Sequence, residues 1–281
     1  LSITEEFPKH PFAWKVLAVV LKLTGRINES LVASQKSVQL NPQDAEACNN
    51  QGVLLKELER LDEAEKSYRK AIDLKPDYAE ARNNLGVILR VLGKLDQAEA
   101  SFRQALTLKP DYAEAHSNLG IMLQGLGKSD EACSAYIQAI HLNPDFTDAY
   151  GNLGIAIKHI RFNSSNVKLY PLLIKLLSTG NFARPMDLAP SILSLLKHDP
   201  LIKNLLLEEN FATSPKEINS VIGSLDKLTL LHHLMRICPL PDLQFEKFFV
   251  TMRSLLLINL DNFKASPEFI YFLSTLSLHC F

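Results

Sequence analysis

Hydrophobic residues in the first half of the chain recur three and four positions apart, which is the spacing of one face of an α-helix. Between residues 79 and 92, Leu85, Ile88, Leu89 and Leu92 recur at this spacing. Gly93 follows this run, and glycine at such a point ends a helix in the left-handed conformation. A second amphipathic run ends at Pro110, since proline cannot continue a helix. The segment therefore predicts two helices joined by a short turn.

This pattern returns every 34 residues. The residues that mark the period most clearly are Asn50, Asn84, Asn118 and Asn152, with Pro8, Pro42, Pro76, Pro110 and Pro144. A constant period of this length predicts a repeat array. We expect an N-terminal segment at 1–10 and an array at 11–162, with units 11–44, 45–78, 79–112, 113–146 and a partial unit 147–162. Asp77 and Asp111, which follow two of the prolines, are predicted helix N-caps.

The small, large and proline positions of these units resemble the tetratricopeptide repeat. The third and fourth units carry the resemblance with Leu85, Gly86, Gly93, Ala98, Phe102, Ala105 and Pro110, and with Leu119, Gly120, Gly127, Ala132, Tyr136, Ala139 and Pro144. The second unit departs with Gln51 and Glu59, where leucine and glycine are usual. The first departs with Ser30, Ser34 and Ser37 at small or aromatic sites. The resemblance implies an all-α, right-handed superhelix of about four to five repeats whose first helices line the concave face.

Residues 163–281 are rich in leucine and lack the 34-residue period. Three cap residues precede a proline there, at Asp199-Pro200, Ser214-Pro215 and Ser266-Pro267, a pattern that starts helices. The predicted helices are 166–178, 187–198, 200–209, 215–236, 243–259 and 267–280. We expect an all-helical C-terminal domain that covers the apolar end of the last repeat.

Several short motifs stand out in this half: Arg184-Pro185 with Asp187, Leu195-Leu196-Lys197-His198, Cys238-Pro239 with Pro241-Asp242, and Leu278-His279-Cys280-Phe281. They resemble the helical region before the class I S-adenosylmethionine-dependent methyltransferase domain of bacterial repeat proteins. The glycine-rich cofactor loop of that family is absent from these 281 residues, so no methyl transfer is assigned to them. Because the chain starts at Leu1 and ends within an apolar pattern, we expect a fragment of a longer protein. The alternative function is then to recruit substrates for a catalytic domain beyond residue 281.

Composition narrows the function classes. The formal net charge is −1 with 22% charged residues, and the charges are balanced in both halves of the chain, so no basic surface for nucleic acid or anionic lipid is predicted. No apolar run reaches the roughly 18 residues that span a bilayer, and no signal peptide is recognisable. Four widely spaced cysteines without a CxxC pair indicate reduced thiols. We therefore expect a cytoplasmic protein with no nucleic-acid or membrane partner.

Candidate chemistry is sparse. Gly125-Leu126-Gly127-Lys128-Ser129 resembles the end of a phosphate loop, but Met122 stands where the first glycine is required. His232 and His233 are adjacent and therefore point about 100° apart on a helix, without metal-ligand partners in sequence. No nucleophile–base arrangement is recognisable. We predict no catalytic residues, no cofactor and no metal, so this fragment is not an enzyme.

The repeated asparagines, here called the Asn ladder (Asn50, Asn84, Asn118 and Asn152), occupy the sixth position of each first helix. A side-chain amide both donates and accepts hydrogen bonds, so a row of amides can clamp a peptide backbone whatever its sequence. The ladder resembles the one in the repeats of O-GlcNAc transferase, which holds extended polypeptide. The alternative is that these amides bond only between neighbouring repeats. We also include in the candidate groove Asn49 and Asn83 at the fifth position, and Lys56, Arg90 and Lys158 at the twelfth.

A second row is acidic and lies at the second position of the first helices: Glu46, Glu80, Glu114 and Asp148. Acids in a first helical turn and bases in a last turn also suit the helix dipole, so both charged rows have a purely structural explanation. The sequence predicts a non-catalytic protein-interaction module that binds an extended peptide or a partner helix in a concave groove. A further alternative is self-association as a homodimer.

Overall fold

The computed structural model describes residues 2–179, 183–207, 228–238, 240 and 242–258, and within these ranges every regular element is a helix. The chain forms two compact units, Leu1–Phe146 and Thr147–Phe281. The helices of the first unit are α1 Ser2–Glu6, α2 Pro11–Leu23, α3 Ile27–Leu40, α4 Ala45–Glu57, α5 Leu61–Leu74, α6 Ala79–Val91, α7 Leu95–Leu108, α8 Ala113–Gly125 and α9 Ser129–Leu142. Those described in the second are α10 Thr147–Ile157, a 3₁₀ turn Val167–Leu169, α11 Tyr170–Thr179, α12 Pro185–Leu196, α13 Pro200–Leu207, α14 Thr229–Ile237 and α15 Leu243–Ile258.

The first unit is a stack of four helix pairs. Helices α2 and α3, α4 and α5, α6 and α7, and α8 and α9 pack within pairs, and the second helix of each pair packs on the first helix of the next. The first helices also contact one another, α4 with α6 and α6 with α8. This arrangement is a superhelix-like α-solenoid, so the predicted all-α repeat fold is confirmed.

Close contact between the two helices of a repeat depends on a glycine that faces an aromatic ring. A Cβ placed on Gly86 would lie 2.7 Å from the ring of Phe102, and the same contact recurs between Gly52 and Tyr68. In the fourth repeat, Gly120 faces Tyr136 in the same way. All three rings are fully buried. The aromatic fills the space that the missing side chain leaves, and this pairing sets the distance between the helices.

The turn between the helices of a repeat places one residue in the left-handed conformation. Gly25, Gly93 and Gly127 have φ angles of 76°, 75° and 75°. In the second repeat this position is Glu59, with φ 58°. The amide of Glu59 donates to the carbonyl of Lys56, and the amide of Arg60 to that of Leu55, which is the usual hydrogen bonding of a helix end with a left-handed residue. The second repeat therefore makes the same turn without the glycine.

Replacing Glu59 by glycine is expected to raise the free energy of unfolding by about 0.5 to 1 kcal/mol. A residue with a Cβ pays about 1–2 kcal/mol in this conformation, while glycine loses more backbone entropy on folding. Urea denaturation followed by circular dichroism measures the change. Glu59→Ala is the matched control, because it removes the carboxylate and keeps the Cβ. An equal gain in this control would assign the effect to charge and contradict the backbone explanation.

The predicted N-caps Asp77 and Asp111 are wrong. Helices α6 and α8 begin one residue later, after Tyr78 and Tyr112, and neither N-cap makes a side-chain cap hydrogen bond. The amide of each tyrosine instead closes a turn to the carbonyl of the lysine three residues earlier, and that lysine's ammonium lies over the tyrosine ring. At the equivalent position before α4, Asp44 does cap its helix, accepting a hydrogen bond of 3.0 Å from the amide of Ala47.

Ion pairs join successive second helices. Glu65 in α5 lies 2.8 Å from Arg69 in its own helix and 2.8 Å from Lys94, the residue before α7. Glu99 makes the equivalent contacts with Arg103 and Lys128, at 2.7 and 3.5 Å. Burial alone would raise the pKa of Glu65, but hydrogen bonds from Lys94 and Arg69 outweigh it and lower that pKa. The repeat period therefore places opposite charges across each junction.

The second unit is held by a buried tyrosine–aspartate contact. The hydroxyl of Tyr170 in α11 donates to Asp199 Oδ2 at 2.7 Å, and Asp199 Oδ1 accepts from the amide of Leu201 at 2.9 Å. Asp199 therefore caps α13, as its position before Pro200 predicts.

The other helices predicted for this half of the chain are only partly described by the structure. The described helices α12, α13 and α15 lie within two residues of three of the predictions. Helix α11 ends within one residue of the predicted helix 166–178 but begins four residues later, after the 3₁₀ turn. Only the end of the predicted helix 215–236 is described, as α14, and the predicted helix 267–280 lies outside the described residues. The predicted boundary between array and C-terminal domain at 162 stays a prediction. No described helix is both long and apolar enough to cross a membrane.

Candidate functional site

The sixth, ninth and twelfth positions of the first helices of the first unit form one surface, here called the first-helix face. Asn50, Asn84 and Asn118 lie along it and are half-buried. The ninth position is apolar in each repeat, with Val53, Val87 and Ile121 half-buried beside the amides in α4, α6 and α8. The surface therefore offers a row of amides bordered by aliphatic side chains, a combination suited to an extended chain with alternating contacts.

Two members of the Asn ladder are held in place by the preceding repeat. Asn84 Nδ2 donates to Asn49 Oδ1 at 3.1 Å, and Asn118 Nδ2 donates to Asn83 Oδ1 at 3.0 Å. The two acceptors are buried. The fifth position of one repeat thus orients the sixth position of the next. Asn49 and Asn83 belong beneath the ladder, whereas the sequence suggested only that they add contacts.

This bonding leaves part of each amide free. Within the described residues, the side chains of Asn84 and Asn118 make no other side-chain hydrogen bond, so each keeps one N–H and its carbonyl oxygen for a ligand. Asn50 differs, because the fifth position before it is Lys15. No bond to the Asn50 amide occurs in the described part of the chain.

Lys15 is occupied elsewhere. Its ammonium lies 3.1 Å from Asp44 Oδ2 and also pairs with Glu46. Burial alone would lower the pKa of Lys15, but the hydrogen bonds to Glu46 and Asp44 outweigh this and raise it. The two carboxylates neutralise the ammonium, so Lys15 is not free to receive the carboxylate of a ligand.

The basic row at the twelfth position is only partly paired. Lys22 lies 2.9 Å from Glu57. Lys158, in the second unit, lies 3.3 Å from Asp187. Lys56 and Arg90 have no ion-pair partner among the residues that the structure describes. These two cations are the twelfth-position members of the first-helix face. Asn152, in α10, stays a prediction as a ladder member.

A cavity of about 250 Å³ opens among α2, α3 and α4. Its lining residues are Lys15, Ala18, Val19, Lys22, Ser30, Ser34, Ser37, Ala47, Asn50, Val53 and Leu54. The cavity occupies the place where the other repeats pack their aromatic ring. Ser34 stands at the position of Tyr68 in the second repeat, and Ala18 stands at the position of Gly52. The sequence shows that serines at 30, 34 and 37 depart from the repeat pattern, but the cavity itself was not predicted.

The groups with possible reactivity do not converge. Among the described residues no three His, Cys, Asp or Glu side chains are placed to hold a metal. Burial raises the pKa of Cys133 to about 12 and that of Cys238 to about 11, so both stay as thiols near neutral pH. His233 Nε2 lies 2.8 Å from the hydroxyl of Ser178, an exposed contact between two helices.

Comparisons with known proteins agree with the repeat geometry. Family models described as tetratricopeptide repeat match residues 49–113 and 115–150. These segments are tetratricopeptide repeats. No curated protein matches this chain. The methyltransferase-linked resemblance of residues 163–281 and the homodimer stay predictions.

Several solved structures are similar to this chain. A double mutant of MamA from strain RS-1 has a TM-score of 0.52 and 17% identity, covering 61% of this chain and 96% of its own, and it supports the fold alone. YrrB, described as a tetratricopeptide protein with an unusual peptide-binding site, has a TM-score of 0.49 and 22% identity, covering 69% and 93%. A thermophilic protein from Thermus thermophilus has a TM-score of 0.49 and 27% identity, covering 55% and 84%.

Proposed function

We propose that this protein-interaction module binds an extended peptide of a partner protein along the first-helix face. Asn50, Asn84 and Asn118 hold the peptide backbone through their amides, and the aliphatic ninth positions contact its side chains. The observation that carries the proposal is the bonding of Asn84 and Asn118 by buried asparagines. That bonding fixes the orientation of each amide and leaves one donor and one acceptor unused, so less side-chain entropy is lost when a ligand binds.

Charge selects among peptides. Lys56 and Arg90 lie on the face without ion-pair partners in the described residues, so they favour a peptide with acidic side chains at those points. Asn152 and Lys158 extend the same rows by one unit in sequence. As members of the site, these two residues stay predictions. Each asparagine of the ladder contributes little to the affinity, which comes from several of them binding the peptide together.

The test uses a peptide selected for this protein from a random phage-displayed library. Asn84→Ala with Asn118→Ala is expected to weaken binding of that peptide more than tenfold in fluorescence anisotropy. The same variant leaves two buried carbonyl oxygens, those of Asn49 and Asn83, without their donors. Its unfolding free energy should therefore fall by about 1–3 kcal/mol for each of the two oxygens.

A matched control separates binding from stability. Asn49→Ser with Asn83→Ser removes the buried acceptors and keeps both ladder amides, and serine is already present at this position in the fourth unit, as Ser117. We expect a similar loss of stability but only about a threefold loss of peptide affinity, because both ladder amides remain and only their fixed orientation is lost. If the serine variant loses as much affinity as the alanine variant, the ladder serves only to join repeats and the proposal is wrong.

A further inference from the structure

The first repeat lacks the ring that fills the other three. In the second, third and fourth repeats, Tyr68, Phe102 and Tyr136 lie against a glycine of the first helix and are fully buried. In the first repeat the ring position is Ser34 and the glycine position is Ala18. One added methyl group does not replace an aromatic ring, so the cavity between α2 and α3 remains.

The cavity is large enough for a ring supplied from outside. Its volume is about 250 Å³, and an apolar cavity of about 150 Å³ is sufficient to accept benzene. Ala18, Val53 and Leu54 line it as apolar groups. Val53 and Asn50 belong to the first-helix face, so the cavity opens where the proposed peptide would lie. The occupant therefore reaches it as a side chain of that peptide.

The base of the cavity carries one unused hydroxyl. Ser30 donates to the carbonyl of Ala18 at 2.6 Å, and Ser37 donates to the carbonyl of Pro11 at 3.0 Å. Ser34 lines the same cavity and is 3% exposed, yet none of the described residues bonds to its hydroxyl. An occupant that fills the cavity excludes water from the Ser34 hydroxyl, and a polar group left without a partner costs free energy. An occupant that bonds to Ser34 is therefore favoured over one that cannot.

We infer that the first repeat holds a tyrosine side chain of the bound peptide, with its ring in this cavity and its phenol bonded to Ser34. Asn50 lies at the same opening with no bond to its amide in the described part of the chain, so it receives the backbone of that tyrosine. The inference rests on the proposed peptide-binding function and names the side chain that the first repeat selects. The second, third and fourth repeats cannot hold such a side chain, because their own rings occupy the space.

The test titrates the full chain with N-acetyl-tyrosine-N-methylamide and the matching phenylalanine and leucine compounds, followed by nuclear magnetic resonance. We expect the tyrosine compound to shift the amide signals of Ala18, Ser34 and Val53, and to bind at least fivefold more tightly than the phenylalanine compound. Ser34→Ala should reduce this preference to below twofold. Ala18→Gly with Ser34→Tyr rebuilds the pairing of the second repeat and should weaken binding of the tyrosine compound more than tenfold.

The outcomes distinguish this inference from the proposed function. Ser34→Leu is a second filling variant in case the rebuilt pair does not fold, and it should lose the tyrosine compound as well. Equal binding of the tyrosine compound by wild type and a folded filling variant overturns the inference, as does equal affinity for the tyrosine and phenylalanine compounds. No binding to wild type also overturns it. The peptide test at Asn84 and Asn118 lies outside the cavity and would still decide the proposed function.

Discussion

Gly86→Ala is expected to lower the free energy of unfolding by about 2 kcal/mol. The added Cβ would lie 2.7 Å from the ring of Phe102, closer than such atoms approach in proteins. That ring is fully buried and has no open space to move into, so the two helices of the third repeat must separate. Overpacking of this kind costs about 1–3 kcal/mol, and it outweighs the helix preference of alanine over glycine. Urea denaturation followed by circular dichroism measures the change.

Gly125→Ala is the matched control. Gly125 ends α8, and a Cβ there meets nothing within 4 Å, so we expect a gain of about 0.5 kcal/mol from helix propensity alone. Adding Phe102→Leu to Gly86→Ala tests the cause, because a smaller side chain relieves the contact. The double variant should then lose less stability than the sum of the two single changes. Additive losses would show that the glycine–aromatic contact does not set the helix spacing.

Tyr170→Phe is expected to destabilise the second unit by about 2–3 kcal/mol. The hydroxyl donates to Asp199, which is 4% exposed, and its removal leaves a buried carboxylate oxygen without that donor. Hydrogen bonds to charged groups contribute about 1.5–3 kcal/mol, and the ring itself is unchanged in the variant. Burial, and then the hydrogen bond to Asp199, raises the pKa of Tyr170, so the hydroxyl keeps its proton throughout the neutral range. Denaturant titration followed by circular dichroism gives the loss.

A double-mutant cycle with Asp199→Asn tests whether the carboxylate is the cause. An amide at 199 still presents an oxygen to the amide of Leu201, but it carries no charge to leave unpaired. Tyr170→Phe should therefore cost less in the Asp199→Asn background than in wild type, with a coupling of about 1 kcal/mol or more. A coupling near zero would mean that the loss in Tyr170→Phe does not depend on the carboxylate of Asp199.

The repeat fold could be predicted from sequence because each repeat contains its own signals. Gly93, Phe102 and Pro110 act locally, on a turn, on a helix pair and on a helix end, so their spacing alone predicts the unit. The predicted N-caps were wrong because contacts beyond the cap residue itself decide where these helices begin. Asp77 is an ordinary cap residue, but the turn to Lys75 and the ring of Tyr78 make the helix begin one residue later. Residues 163–281 have no period, so only their helix starts were predictable.

The sequence predicted which residues belong to the candidate site, but it did not predict the contacts between them. The period identified the Asn ladder and the rows around it, but it did not show that Asn84 bonds to Asn49 across a repeat junction. That bond depends on the rotation between repeats, which no local pattern encodes. The cavity required a further step, since the absence of a ring at Ser34 had to be combined with the presence of Ala18 opposite.

The bonds from Asn84 to Asn49 and from Asn118 to Asn83 join residues 35 positions apart, one repeat plus one residue. Gain or loss of a whole 34-residue unit therefore keeps every junction intact, since each remaining unit still meets an equivalent neighbour. A single inserted residue in a first helix instead turns everything after it by about 100° and moves the asparagine away from its partner. The length of this protein can change in steps of one unit, and the surface lengthens or shortens by one rung each time.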